Sequence, residues 1–201
     1  MAGKILVSTA YLPPVAYFGL ISIADEALIE REENYIKQTF RNRCYILSAN
    51  GPQILSIPVL LGSLHKTAIK DIRIDYSKRW QPVHLRAMKA AYNSSPWFEF
   101  YFDRIDQIIS GGPEFLIDLN MELSSHINKM LQINTEVSFT SHFKAVTSEP
   151  NDYRYTFSPK RPYLREYKAY PQVFPYGNGF VPGLSIIDLI FNMGPEAKLY
   201  L

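Results

Sequence analysis

Residues 9–46, TAYLPPVAYFGLISIADEALIEREENYIKQTFRNRCYI, decide the fold. Just before them, Ile5-Leu6-Val7 is a short apolar run, partly β-branched, of the kind buried on both faces in a parallel sheet. Tyr11-Leu12-Pro13-Pro14 then turns the chain sharply. Neither proline has an N–H to give a sheet, and Pro14 can open a helix, where no donor is missed. The segment from Val15 to Ala24 is apolar nearly all round, which predicts roughly three turns of helix packed on more than one side. Asp25 ends it, and Ala27-Leu28-Ile29 begins a second strand. Strand, tight turn, helix, strand opens a βα unit, and the loop after the first strand is where such units bind ligands.

Residues 30–40 are polar and of mixed charge, which fits a loop or short irregular helix on the ligand side. A hairpin follows: Arg43 to Ser48 and Gln53 to Val59 flank Ala49-Asn50-Gly51-Pro52, and Asn-Gly supplies the positive φ that tight turns demand. Ile69 to Tyr76 alternates as a half-exposed strand, with Ile72 and Ile74 on one face. Three helices are predicted next, from Pro82 to Asn93, after Ser95-Pro96 as cap and start, and after Gly111-Gly112-Pro113. Glu136 to Phe139 reads as a late strand. Residues 148–176 are rich in Pro, Tyr, Arg and Lys without a period, an irregular arm in which Arg154, Lys160, Arg161, Arg165 and Lys168 are the expected first protease cuts. Ser185 with Asp188 matches a helix-capping pattern, and residues 180–201 are too apolar to leave in water. These expectations add up to one α/β domain over residues 1–201. It has a Rossmann-like, partly parallel sheet extended by an inserted β-hairpin and a helical segment.

The formal charge of +2 argues against a nucleic-acid footprint. No apolar run approaches the ~20 residues of a membrane span, and the N-terminal stretch runs straight into Pro13 as a strand would. With a single cysteine, Cys44, no intrachain disulfide can form, so a cytoplasmic location is the simple expectation. The scattered histidines have no ligand spacing, so neither a metal nor a cofactor is expected.

Arg41 and Arg43 flank Asn42 at the hairpin entry. On a strand, residues two apart share a face, and two guanidinium forks side by side suit a phosphate. The plainer reading pairs them with Glu30, Glu32 or Glu33. The turn with Tyr11, Pro13 and Pro14 could shape a pocket whose helix N-terminus faces the same anion; alternatively it is only a stiff corner. His84, with Arg86 beside it, has the residue type for proton transfer near neutral pH, or is a helix histidine packed inside.

YLPPVAYF at residues 11–18, RNRCYI at 41–46 with its Asn50-Gly51-Pro52 turn, and GFVPGLSIIDLIFNMGPEAKLYL at 179–201 resemble the WbqC-like family. Ser8-Thr9-Ala10 stand where many members carry His-Gln. The resemblance implies a cytoplasmic role in O-antigen or capsule assembly. The chain would be a transferase acting on a nucleotide-activated sugar or a related phosphorylated precursor. On that reading Tyr11, Pro13, Pro14, Arg41, Asn42, Arg43 and Arg86 bind the substrate and His84 moves a proton. The rival reading is a non-catalytic partner, docking on a biosynthetic enzyme or on a second copy of the chain.

Overall fold

The computed structural model describes residues 2–60, 66–145, 151–160, 168–174 and 179–201. Strand β1 (Ala2–Ser8) leads through the Tyr11–Pro14 turn into helix α1 (Val15–Ser22) and back along β2 (Ala24–Glu30), parallel to β1. The helix is shorter and the strand longer than the apolar pattern predicts, because Ala24 and Glu26 already pair across to β1. Leu12, in the turn, takes a positive φ of 41°, a strained state for a side chain with a Cβ. It is held there from both sides: the Tyr11 N–H donates to the Phe40 carbonyl, and the Ile186 N–H donates to Pro13.

The hairpin comprises β3 (Arg43–Ser48) and β4 (Gly51–Ser56). Its positive φ falls on Gly51, at 99°, and not on Asn50. Two short strands, β5 (Val59–Leu60) and β6 (Arg73–Ile74), pair antiparallel. The long strand expected at Ile69–Tyr76 is reduced to β6, since Ile69–Asp71 coils into a 3-10 turn that still buries Ile69 and Ile72. Helices α2 (Trp80–Tyr92), α3 (Phe98–Ser110) and α4 (Leu116–Met130) bury the expected stripes. Ser95 does not cap α3: its hydroxyl donates to the Tyr92 carbonyl and closes α2 instead.

Strand β7 (Glu136–Phe139) returns parallel to β2, giving a three-stranded parallel sheet in the order β1-β2-β7. Helix α5 (Ile186–Met193) is capped by the Ser185 side chain, as predicted, and is buried along most of its length. Asp188 does not reach back to complete the cap. Its carboxylate accepts from the Tyr170 hydroxyl at 2.7 Å and from Gln172 at 2.9 Å, and burial raises its pKa.

Residues 151–160 and 168–174 are irregular, and backbone and side-chain hydrogen bonds tie parts of them to the domain. The Leu6 N–H donates to Asn151, and the Tyr153 N–H donates to Leu6, so this segment adds a parallel bridge to the outer edge of β1. Arg154, an expected cleavage site, is 2% exposed. Lys160 and Lys168 are exposed, while Arg161 and Arg165 lie outside the described residues. Among the described residues no helix is long and apolar enough to cross a membrane.

Candidate functional site

Of the two arginines expected to share an anion, Arg41 is held by a carboxylate, while the buried Arg43 Nε has no hydrogen-bond partner among the described residues. Arg41 is buried, with Nε 2.9 Å and Nη2 2.6 Å from the two oxygens of Glu33. Its fork is therefore occupied, and Tyr155 lies over its guanidinium, 5.9 Å from ring centroid to Cζ. Arg43 stands on β3 opposite Ser56, and Asn42 donates its side-chain amide to the Ile57 carbonyl. Tyr35 feels both arginines: burial pushes its phenol up to about 12, while the charges of Arg43 and then Arg41 pull it down.

The Tyr11–Pro14 turn is buried beneath the C-terminal segment. Pro14 bridges to Ser185, and the first N–H of α1, on Val15, donates to Leu184. That helix end therefore faces backbone and not an open anion site. Tyr11 Oη is 3.0 Å from His84 Nδ1, and His84 Nε2 is 3.2 Å from the Ser56 carbonyl. Burial drives the His84 pKa down to about 4, with the Ser56 hydrogen bond opposing it. The ring is neutral at pH 7, donates from Nε2 to the Ser56 carbonyl and accepts at Nδ1 a hydrogen bond from the Tyr11 hydroxyl. It thus bonds helix α2 to the hairpin and the turn, with both ring nitrogens engaged inside the protein. Arg86 lies on the exposed side of α2 and donates to the Pro82 carbonyl of its own helix.

A group of charged side chains gathers elsewhere, along one face of the parallel sheet. In register across the sheet lie Lys4 and Glu26, Leu6 and Leu28, and Ser8 and Glu30, so these pairs share one face. That face borders a cleft of about 540 Å3 running from Lys4 and Glu26 to Glu30, walled by residues 138–142 with Lys144, and by Asn151, Asp152 and Arg154. Among the described residues that line it, none is helical.

At its inner end, Glu30 accepts from Thr140 Oγ1 at 2.7 Å, from the Glu32 N–H at 2.9 Å and from Arg154 Nη1 at 2.9 Å. Arg154 also grips Asp152 through Nε and Nη2, at 2.9 and 2.6 Å. Burial alone would raise the Asp152 carboxyl, but the hydrogen bonds and charge of Arg154 outweigh it and hold the pKa below its ordinary value. The Arg154 pKa is raised in return, chiefly by that carboxylate. Ser8, the last residue of β1, joins the two ion pairs: it donates to the Arg154 carbonyl at 2.9 Å and accepts from Arg41 Nη2 at 2.7 Å. Nearer the mouth, the Lys4 ammonium sits 2.8 Å from Glu26 and lowers its pKa. His142 and Lys144 stand exposed on the rim.

Sequence reasoning missed Arg154, Asp152, Thr140 and Lys144. The one available signal was the period-two spacing that sets Glu26, Leu28 and Glu30 on a single face of β2.

No solved structure matches the chain significantly. "Uncharacterized protein Rv1507c" of Mycobacterium tuberculosis is 28% identical over 225 aligned residues, covering 98% of this chain and 96% of that protein. The WbqC-like protein family matches residues 9–158 and 160–200. With nearly its whole length matched, the chain belongs to the WbqC-like protein family.

Proposed function

We propose that the protein is a cytoplasmic enzyme of surface-polysaccharide assembly, with the sheet-face cleft as its substrate site. The ligand is a nucleotide-activated sugar or a related phosphorylated precursor, and the reaction is a group transfer. The observation that carries this reading is the cleft itself. Its volume of about 540 Å3 falls within the usual range of small-molecule sites, ~300–1,000 Å3. Among the described residues its lining combines three cations, Lys4, Lys144 and Arg154, with three carboxylates, Glu26, Glu30 and Asp152. Carboxylates accept from sugar hydroxyls, and the rim charge of Lys144 suits a phosphate. Family membership supports the biological setting.

In this reading Arg154 and Arg41 are positioning residues. Each is locked by a carboxylate and fixes the wall of the site, and neither meets the phosphate directly. Tyr11 and His84 hold the turn behind it.

The test is a calorimetric and thermal-shift titration of the full chain against nucleotides, nucleotide sugars and sugar phosphates. Saturable binding by one class is expected. Lys144→Ala should weaken it about tenfold or more, the worth of one charge-assisted contact, with an unchanged melting temperature. If nothing binds and the chain self-associates tightly, the reading fails and the non-catalytic partner takes its place.

A further inference from the structure

The opposite face of the same sheet is covered by α1 and α4, but the cover is incomplete. Between these helices, β2 and β7 lies a second cavity of about 290 Å3. Its apolar wall comes from Ile21, Ile29, Met121, Ile133 and Val137. Two of its polar groups are already engaged, since the Tyr17 hydroxyl donates to the Ser8 carbonyl and the Thr135 hydroxyl to Ile21. Ser124, half-buried, and Ser125, exposed, line the same space on α4 as Lys129, and the Asn128 Oδ1 beside them is buried without a partner among the described residues. Lys129 is the one charged residue among the described lining, which contains no carboxylate.

A lysine in the last turn of a helix is often explained by the negative pole there. Here that pole is already taken. The Leu131, Gln132 and Ile133 N–H groups donate to the carbonyls of Ile127, Lys129 and Asn128, with Gln132 at φ 52° closing the motif. The Lys129 ammonium is not needed by those carbonyls, and it lines a largely apolar space together with two serine hydroxyls.

We propose that this cavity binds a small organic monoanion with an apolar body, a short-chain or aromatic carboxylate. The apolar body lies against Ile29, Met121 and Val137. The carboxylate meets Lys129 and the two serines. This site is independent of the polysaccharide reading, because it lies across the sheet from the polar cleft and uses none of its charged groups.

Ligand-observed NMR and calorimetry on the full chain, with benzoate and hexanoate against benzyl alcohol and 1-hexanol, test it. At low ionic strength both acids should bind saturably, and the alcohols about fivefold or more weakly. Lys129→Met, at an exposed position, should keep the melting temperature and erase that preference. Met121→Trp, which fills the cavity, should weaken acids and alcohols alike. The proposal is overturned if the acids do not saturate or bind no better than the alcohols. It is equally overturned if Lys129→Met leaves the preference intact, or if a folded Met121→Trp protein still binds benzoate normally.

Discussion

The two faces of the β1-β2-β7 sheet are built from alternate residues of the same strands, yet they solve opposite problems. On one face Ile5, Val7, Ala27 and Ile29 are buried beneath the protein's own helices. On the other, Lys4, Glu26 and Glu30 face a cleft, and the cover consists of irregular chain carrying Asp152 and Arg154. The first face is held by area removed from water, which is tolerant of detail. The second depends on a few charge-assisted bonds whose loss would strand a buried ion. The difference teaches where function can reside in this fold: on the face where stability rests on named polar partners.

The sharpest way to break the comparison is Arg154→Leu. Glu30 would then keep a buried charge without its partner, and unfolding free energy in denaturant should fall by about 3–5 kcal/mol. The double change Glu30→Leu with Arg154→Leu should cost less than the sum of the two single changes. An additive result would show that the pair does not act as a unit.

Next in size is the apolar face. Ile29→Ala, at a residue 3% exposed, should cost about 2–5 kcal/mol. Its neighbour Leu28→Ala, on the cleft face, should cost about 1 kcal/mol or less. Equal losses at the two positions would erase the distinction between the faces.

Acid separates the sheet from the rest of the core. His84 is neutral when folded, with a pKa of about 4 against an ordinary 6.5. The unfolded chain therefore takes up the proton first as pH falls. The stability contributed by the neutral ring is complete above pH 6.5 and declines as the pH drops towards 4, a total of about 3 kcal/mol. The lowered Asp152 pKa acts in the same direction but only below the ordinary value of 3.8. Loss of stability between pH 6.5 and 4 should thus report the histidines lowered by burial, His84 in the Tyr11–His84–Ser56 seam foremost and His126 with it, against an opposing gain as the raised Asp188 carboxyl protonates; the Asp152 end of the ionic face should give way only below it. An imidazole NMR titration with a midpoint near 6.5 in the folded protein would contradict this order.

The smallest effect expected is at Gln132, whose φ of 52° suits glycine. Gln132→Gly should raise stability by up to about 1 kcal/mol, read as a small rise in melting temperature.

Much of the scaffold was legible because it is locally encoded. The Pro13-Pro14 corner, the Asn50-Gly51 turn, the helical stripes of α2 to α4 and the Ser185 cap each need only a few neighbouring residues. The Arg41–Glu33 pair was half legible, since the acidic stretch lies close upstream and was weighed as a partner for the arginines. The site was not. Arg154 sits in an aperiodic run of Tyr and Pro, and its partner Glu30 is 124 residues away; nothing local marks one as belonging to the other. His84 shows the same blindness. Its residue type and its place near the start of a helix were visible, but the Tyr11 hydroxyl that makes it structural comes from 73 residues upstream.

That long reach sets the order in which the molecule can be completed as it is made. The edge of β1 is closed through Ser8 and Arg154, a bond spanning 146 residues, and the far side of β2 through Glu30 and Thr140, spanning 110. During synthesis β1 and β2 therefore emerge long before either lateral neighbour exists, and two raw strand edges wait in the cell, able to pair with other chains. Lys4 and Glu26 place opposite charges across the waiting pair, and charge on open strands discourages such pairing. The residues that line the finished cleft thus also guard the nascent chain, so substitutions that neutralise them should lower the yield of soluble protein before they touch any activity.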